Sequence, residues 1–406
     1  MSVSAPPPMP TCSCYRNDQT AVSAALDLPP DELRQAARRA YSSGVLDEAL
    51  ARQQALIAAE VALVPGDFVF LGLLQHACGR IEDSIAALRD GERRFPDAAE
   101  LHENLGVVLL LSQQPAAAIE AAERALALGS QSPNVFDCLC DAANRIGRTD
   151  LAVQYGRQAL EAKDAMFGGR AKVATIPDAP PPAFDPTHPG DNVIAYCLWG
   201  EDPAYQIPLL ESARIVAHLF PGWTMRVYHD ASVPPGFRSE LSRAGVQLRL
   251  KALPAGVPQH RRLLWRFDVL ADPMVRRFLI RDADALLSVK ERVAVDAWLA
   301  SSYWFHAMRD WYTHTDLLLA GMWGGVGNVL PGPDGLLRAY TGWRMENDHL
   351  DQDVLSETVW PTIRSTCLIH DSIFTGCLGS VAFPPFGTLM PGHHVGQNAM
   401  VHFKRG

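Results

Sequence analysis

Phe278-Leu279-Ile280 is a short apolar run that passes through Arg281 into Asp282-Ala283-Asp284. A buried strand of this kind delivers two carboxylates, two positions apart, to its C-terminal end. In open α/β sheets ligands bind beyond the carboxyl ends of the strands. Two carboxylates there are hard oxygen donors, suited to Mg²⁺ or Mn²⁺ carrying a diphosphate. The ion neutralises a departing diphosphate, so no protein acid need protonate it. Among 45 Asp and Glu residues some Asp-x-Asp pairs arise by chance, as helix caps or solvated turns. The strand pattern before this pair and the apolar Leu286-Leu287 after it favour metal binding. Arg281 could contact phosphate or sugar, or simply pair with a neighbouring acid.

Other clusters follow. His306-Ala307-Met308-Arg309-Asp310, His314 and Gly321-Met322-Trp323-Gly324-Gly325 concentrate functional side chains. Arg309 can make bidentate bonds to phosphate. The glycines admit a ligand close to the backbone. Trp323 can stack on a sugar or fill the core. Together they suggest a site wall. Asp351-Gln352-Asp353 opens a helical run, Val354 to Trp360. There an acid either caps the helix or, as Asp351, orients a sugar or acts as base. His370-Asp371-Ser372 leaves another apolar run, Cys367-Leu368-Ile369, and makes His370 a candidate third metal ligand against a surface histidine.

The elements that must position these residues alternate. Val193 to Leu198 reads as a strand ending at Trp199-Gly200. Pro203 to Phe220 reads as a helix with Pro203 in its first turn. Thr224 to Tyr228 and Val246 to Leu250 read as strands, with Phe237 to Ala244 and Leu263 to Leu270 helical. Such alternation implies a parallel-type sheet with covering helices over residues 191–406.

Residues 30–165 have a different rhythm, helical and rich in Ala and Leu. Turns beginning at Gly44, Gly79, Gln113 and Gly147 are 35, 34 and 34 residues apart. That is the period of the tetratricopeptide repeat, a helix–turn–helix unit. Small residues recur where paired helices approach: Ala49, Ser84, Ala118 and Ala152. Pro65 and Pro96 are expected to end the second helices of their units. Four units make a short solenoid, whose concave face suits a peptide or partner protein. Residues 166–190, with Ala179-Pro180-Pro181-Pro182 and Pro186, read as a proline-rich spacer. Residues 1–29 read as a disordered lead-in without the basic and apolar regions of a secretory signal.

The net charge is −9 and no Lys/Arg block is present, which argues against nucleic acid and anionic membranes as partners. No run of 18 apolar residues spans a bilayer. Eight cysteines are scattered, and the pairs Cys12/Cys14 and Cys138/Cys140 lack zinc spacing. This suggests a reduced, cytoplasmic protein without a structural disulfide.

The C-terminal blocks, in order, resemble a bacterial glycosyltransferase of the GT-A type, some members of which are fused to tetratricopeptide repeats. The resemblance rests on Leu198-Trp199-Gly200, Phe220-Pro221-Gly222-Trp223, Arg226-Val227-Tyr228, Leu264-Trp265-Arg266-Phe267 and Ile280-Arg281-Asp282-Ala283-Asp284. It continues through Ala294-Val295-Asp296-Ala297-Trp298, His306 to Asp310, Gly321 to Gly324, Asp351-Gln352, His370-Asp371-Ser372 and Val395-Gly396-Gln397. It implies a nucleotide-diphospho-sugar transferase fold following an all-α repeat solenoid. It also implies that Trp199 and Gly200 lie near the nucleotide base, and that Trp265 and Arg266 line the nucleotide or diphosphate pocket. By the same resemblance Asp282, Asp284 and His370 hold Mn²⁺ or Mg²⁺, and Asp351-Gln352 faces the donor sugar. Ala285-Leu286-Leu287 departs from the group's polar continuation, and retention or inversion of the anomeric centre is left open. The expected reaction moves a sugar, a hexose first, from a nucleotide-sugar (UDP-linked as the first guess) to a hydroxyl of a glycan, lipid-linked glycan or protein. Bacterial polysaccharide assembly is the expected setting, and the repeats would recruit the acceptor or a partner. The rival expectations are a non-catalytic repeat scaffold with a degenerate nucleotide-sugar-binding domain and, third, a hydrolase with paired carboxylates. Convergence of Asp282, Asp284 and Asp351 on one place discriminates the first two.

Overall fold

A computed structural model describes residues 29–342, 349–387 and 392–400. The expected lead-in, Cys12, Cys14 and the polar Glu346-Asn347-Asp348 lie outside them. The chain divides into two compact units, residues 1–159 and 160–406.

The first unit holds paired helices: α1 (Pro30–Ser42), α2 (Leu46–Ala59), α3 (Pro65–Ala77), α4 (Ile81–Arg94), α5 (Ala99–Leu111), α6 (Pro115–Ala127), α7 (Pro133–Arg145) and the start of α8 (Thr149–Phe167). The same turn recurs four times. Gly44, Gly79, Gln113 and Gly147 all take a left-handed conformation, with φ of +76°, +72°, +62° and +79°. The next residue's N–H reaches back to the carbonyl five positions earlier: Val45 to Ala40, Arg80 to Gln75, Gln114 to Leu109, Arg148 to Ala143, at 2.8–2.9 Å. This closure satisfies helix-end carbonyls and reverses the chain. The small residues are fully buried as the repeat requires, and the Ser84 hydroxyl caps the Gly72 carbonyl at 2.8 Å. Pro65 departs from expectation. It opens α3 instead of closing α2, because a missing N–H is harmless at a first helical position.

The second unit is built on a mixed seven-stranded sheet: β1 (Asn192–Leu198), β2 (Thr224–His229), β3 (Gln247–Leu250), β4 (Arg277–Arg281), β5 (Phe305–Arg309), β6 (Met322–Val326) and β7 (Cys367–Asp371). Its order is β3-β2-β1-β4-β6-β5-β7, with β6 antiparallel to both neighbours. Alternate residues of β1 feed opposite cores. Val193, Ala195 and Cys197 join Phe267, Trp323 and Trp360, while Ile194, Tyr196 and Leu198 join Leu209, Trp223 and Trp298. Burial on both faces is why this strand reads as one apolar run.

Helix α9 (Pro203–Leu219) has Pro203 in its first turn, and Asp202 caps it through the Ala204 N–H at 2.8 Å. The expected helix over Leu263–Leu270 is part of a 3₁₀ stretch, Gln259–Ala271. The run after Asp351 is a helix only in part. α10 (Leu350–Val354) passes into a π-helical turn at Leu355–Val359, and Trp360–Ile363 resumes the α-helix.

The spacer is not a spacer. Val173, Ala174 and Ile176 pack on the main core of the second unit. The Val173 N–H donates to Thr362 Oγ1 at 2.9 Å, Trp304 Nε1 donates to the Ala179 carbonyl at 3.0 Å, and Phe184 stacks on Trp223 at 5.5 Å. Proline-rich composition set the expectation, but apolar residues between the prolines bind this segment down as a strap.

Candidate functional site

β2 and β3 lie on one side of β1, and β4 lies on the other. That reversal opens a crevice beyond the carboxyl ends of β1 and β4, where doubly wound sheets bind ligands. Trp199 and Gly200 leave β1 there, and Asp282 leaves β4. Arg266, from the 3₁₀ stretch, gathers the acids. It donates to the Arg281 carbonyl at 3.0 Å, to Asp282, and to Asp351 Oδ2 at 2.6 Å. Burial works to lower the Arg266 pKa, but Asp282 and Asp351 overcome it and hold the guanidinium firmly charged. Asp351 itself is raised by burial, which outweighs its bond to Arg266.

Asp282 is the accessible member, with its side chain 42% exposed. Its carboxylate lies against the Cα of Gly321, where a β-carbon would overlap it. A larger residue there would force the Asp282 carboxylate to move. Asp284, two residues on, accepts from Asn398 Nδ2 at 3.0 Å, and its carbonyl accepts the Ala399 N–H at 2.8 Å. Burial, then the charge of Asp282, pushes the Asp284 carboxyl up to about 7. Two hard oxygen donors crowded this way gain from a divalent cation, which relieves their repulsion. Mg²⁺-type sites use one or two carboxylates completed by water and substrate phosphates. Asp282 and Asp284 therefore fit such an ion.

Gln352 is fixed at both ends. Its amide oxygen accepts the Ala320 N–H, and its amide nitrogen donates to Asp316 Oδ2 at 2.8 Å. Near the ends of β1 and β2, Trp199 and Trp265 meet edge to face at 6.5 Å, and the Arg262 guanidinium lies over both rings. Arg262 pairs with Asp230 at 3.0 Å. Aromatic rings, a cation and an acid of this kind can take a planar base and sugar hydroxyls. The Gly200 N–H, at φ +71°, donates to Ser232 Oγ at 2.7 Å.

Asp282, Asp284, Asp351, Gln352, Trp199, Gly200, Trp265 and Arg266 thus belong to one end of the sheet. Five other expected residues sit elsewhere. Arg281 points into the interior and pairs with Glu291, so its salt-bridge role is the one realised. Trp323 is fully buried between Phe267 and Phe278. Arg309 is 1% exposed and ion-paired with Asp371 at 2.8 Å, a structural pair and no wall of a site. His314 is buried, accepts the Asp310 N–H at Nδ1, and is held to about 3 by burial. His370, lowered to about 4 by burial, meets His306 across β5 and β7 at 2.9 Å. Among the described residues no three His, Cys, Asp or Glu side chains form a metal-holding group, so His370 does not join the acidic pair.

Sequence reasoning missed Asp230, Arg262, Asp316 and Asn398. Asp230 alone carried a signal, since it follows the strand at His229. The others depend on distant partners.

The tetratricopeptide repeat model matches residues 71–133, and the N-terminal region carries these repeats. No curated protein matches the chain. Solved structures similar to it include a mutant O-GlcNAc transferase of Thermobaculum terrenum, at 20% identity over 59% of this chain and 42% of that one, with a TM-score of 0.37. A crystal structure of MamA is 18% identical over 36% of this chain and 85% of that one, with a TM-score of 0.33. A thermophilic TPR protein of Thermus thermophilus is 26% identical over 35% of this chain and 80% of that one, with a TM-score of 0.30. The chain spans less than half the length of the O-GlcNAc transferase chain.

Proposed function

We propose that the α/β unit is a divalent-metal-dependent glycosyltransferase of the GT-A type, moving a hexose from a nucleotide-sugar to a hydroxyl acceptor. The observation that carries this reading is the meeting of Asp282 and Asp351 on Arg266, with Asp284 close enough to feel the charge of Asp282. A degenerate scaffold has no need of two acids at the carboxyl end of β4 gathered with a third, from α10, around one arginine.

Asp282 and Asp284 would hold Mn²⁺ or Mg²⁺, which supplies charge neutralisation to the departing nucleoside diphosphate. Arg266 fixes the Asp282 carboxylate and, through its other arm, the Asp351 carboxylate. Asp351, buried and held by Arg266 and by the neighbouring Gln352 N–H at 2.9 Å, would be the group that orients the sugar. The Trp199–Trp265–Arg262 corner would take the base, UDP being the first candidate. The repeats would recruit a glycan, lipid-linked glycan or protein acceptor, or a partner protein. Among the described residues no helix is long and apolar enough to cross a membrane.

Asp282→Ala tests the proposal. It should lower Mn²⁺-dependent turnover by about a hundred- to a thousandfold, the scale of losing a group that stabilises transition-state charge. Because Asp282 is part-exposed, the circular dichroism spectrum and melting temperature should change little. Full activity in a folded Asp282→Ala protein would refute the assignment.

A further inference from the structure

We infer that Lys163 is a positioning residue for the Gln352 amide, a role that rests on the function proposed above. Gln352 reaches two partners of opposite kind. The Ala320 N–H can only donate, and the Asp316 carboxylate can only accept. Together they select one of the two orientations of the amide. The other oxygen of Asp316, Oδ1, takes the Lys163 ammonium at 2.8 Å, and the same ammonium donates to the Thr315 carbonyl at 3.1 Å. Lys163 is only 5% exposed. A buried ammonium requires such partners, and they in turn are held where it sits.

The consequence reaches past one side chain. Thr315 and Asp316 begin the segment that ends in Ala320 and Gly321. Ala320 holds the Gln352 oxygen, and Gly321 receives the Asp282 carboxylate. Lys163 touches none of the crevice acids. It acts through Asp316 and this segment, on the Gln352 side and the Asp282 side alike. Nothing in the sequence announces it, because Asp316 is 153 residues away.

The test uses the full chain and whichever of the UDP-, GDP-, ADP-, CMP- or dTDP-linked sugars the wild type hydrolyses fastest with Mn²⁺. Lys163→Met should lower kcat by about ten- to a hundredfold with the donor KM within about twofold, as expected when reacting groups are misplaced and not lost. Lys163→Arg should restore most of the rate. Lys163→Met with Asp316→Asn should also recover rate, since it removes both charges and keeps an oxygen for Gln352. Unchanged kcat in a folded Lys163→Met protein overturns the inference while leaving the proposed function intact. If Lys163→Met does not fold, the comparison is between Lys163→Met/Asp316→Asn and Lys163→Met/Asp316→Ala. The second should be slower by about tenfold at similar KM, and equal rates overturn the inference. A wild type that hydrolyses none of the five donors refutes the proposed function and this role with it.

Discussion

If Asp284 is a metal ligand as proposed, a proton and the metal ion would compete for its carboxylate. Burial and the Asp282 charge push this group up to about 7. A metal needs the ionised form, so each pH unit below about 7 should weaken Mn²⁺ binding roughly tenfold, with a plateau above it. Isothermal titration with Mn²⁺ between pH 5.5 and 8.5 measures this, and Asp284→Asn should weaken binding and flatten the slope. Without metal the sign for stability is the reverse of an ordinary salt-bridged acid. The folded pKa lies above the ordinary carboxyl value of 3.8. The contribution of this group to stability is therefore fully present below the unfolded pKa and is lost as pH rises towards about 7. Arg309 makes a different prediction. Its guanidinium and the Asp371 carboxylate are buried together, so Arg309→Met leaves an uncompensated charge and should destabilise the fold by about 3–5 kcal/mol. Denaturant titration checks this, and a kinetic defect without lost stability would restore Arg309 to the site. Residue type alone could not separate Arg309 and Trp323 from Arg266 and Trp199. All four look equally chemical in the sequence; burial divides the two tryptophans, while the two arginines are both buried and only their partners divide them.

Among the elements, the repeats were the most legible, because a turn repeated at a fixed spacing needs the same backbone conformation each time. Gly79 shows the rule in isolation. Its φ is +72°, and a β-carbon there would meet nothing within 4 Å. Gly79→Ala should therefore cost about 1 kcal/mol from left-handed backbone strain alone. A melting temperature equal to wild type would contradict the role given to these turns. Five of the strands were legible as apolar runs breaking at polar residues; β5 and β6 were not, because their His, Arg, Trp and Gly residues read as a site wall, and the antiparallel β6 that makes the sheet mixed was missed with them. The strap over residues 172–186 was not, since proline content says nothing of the Trp304 and Thr362 partners that bind it. The π turn at Leu355–Val359 was also invisible, because its residues are ordinary helix and strand formers.

Across the whole molecule, two compact units with different periods follow one another along the chain. A helical repeat unit offers surface to a peptide or partner, and a mixed α/β unit carries acids at the carboxyl end of a central strand. A net charge of −9 gives no general attraction to phosphate, so on the proposed reading a diphosphate would have to be held locally, with Asp282 and Asp284 carrying the divalent ion that neutralises it. The most direct measurement is thermal stability of the full chain with UDP-, GDP-, ADP-, CMP- and dTDP-linked sugars, each with and without Mn²⁺. The predicted result is a stabilisation that needs both one nucleotide-sugar and Mn²⁺ and disappears in Asp284→Ala. A flat response across the panel would contradict a donor site in this unit.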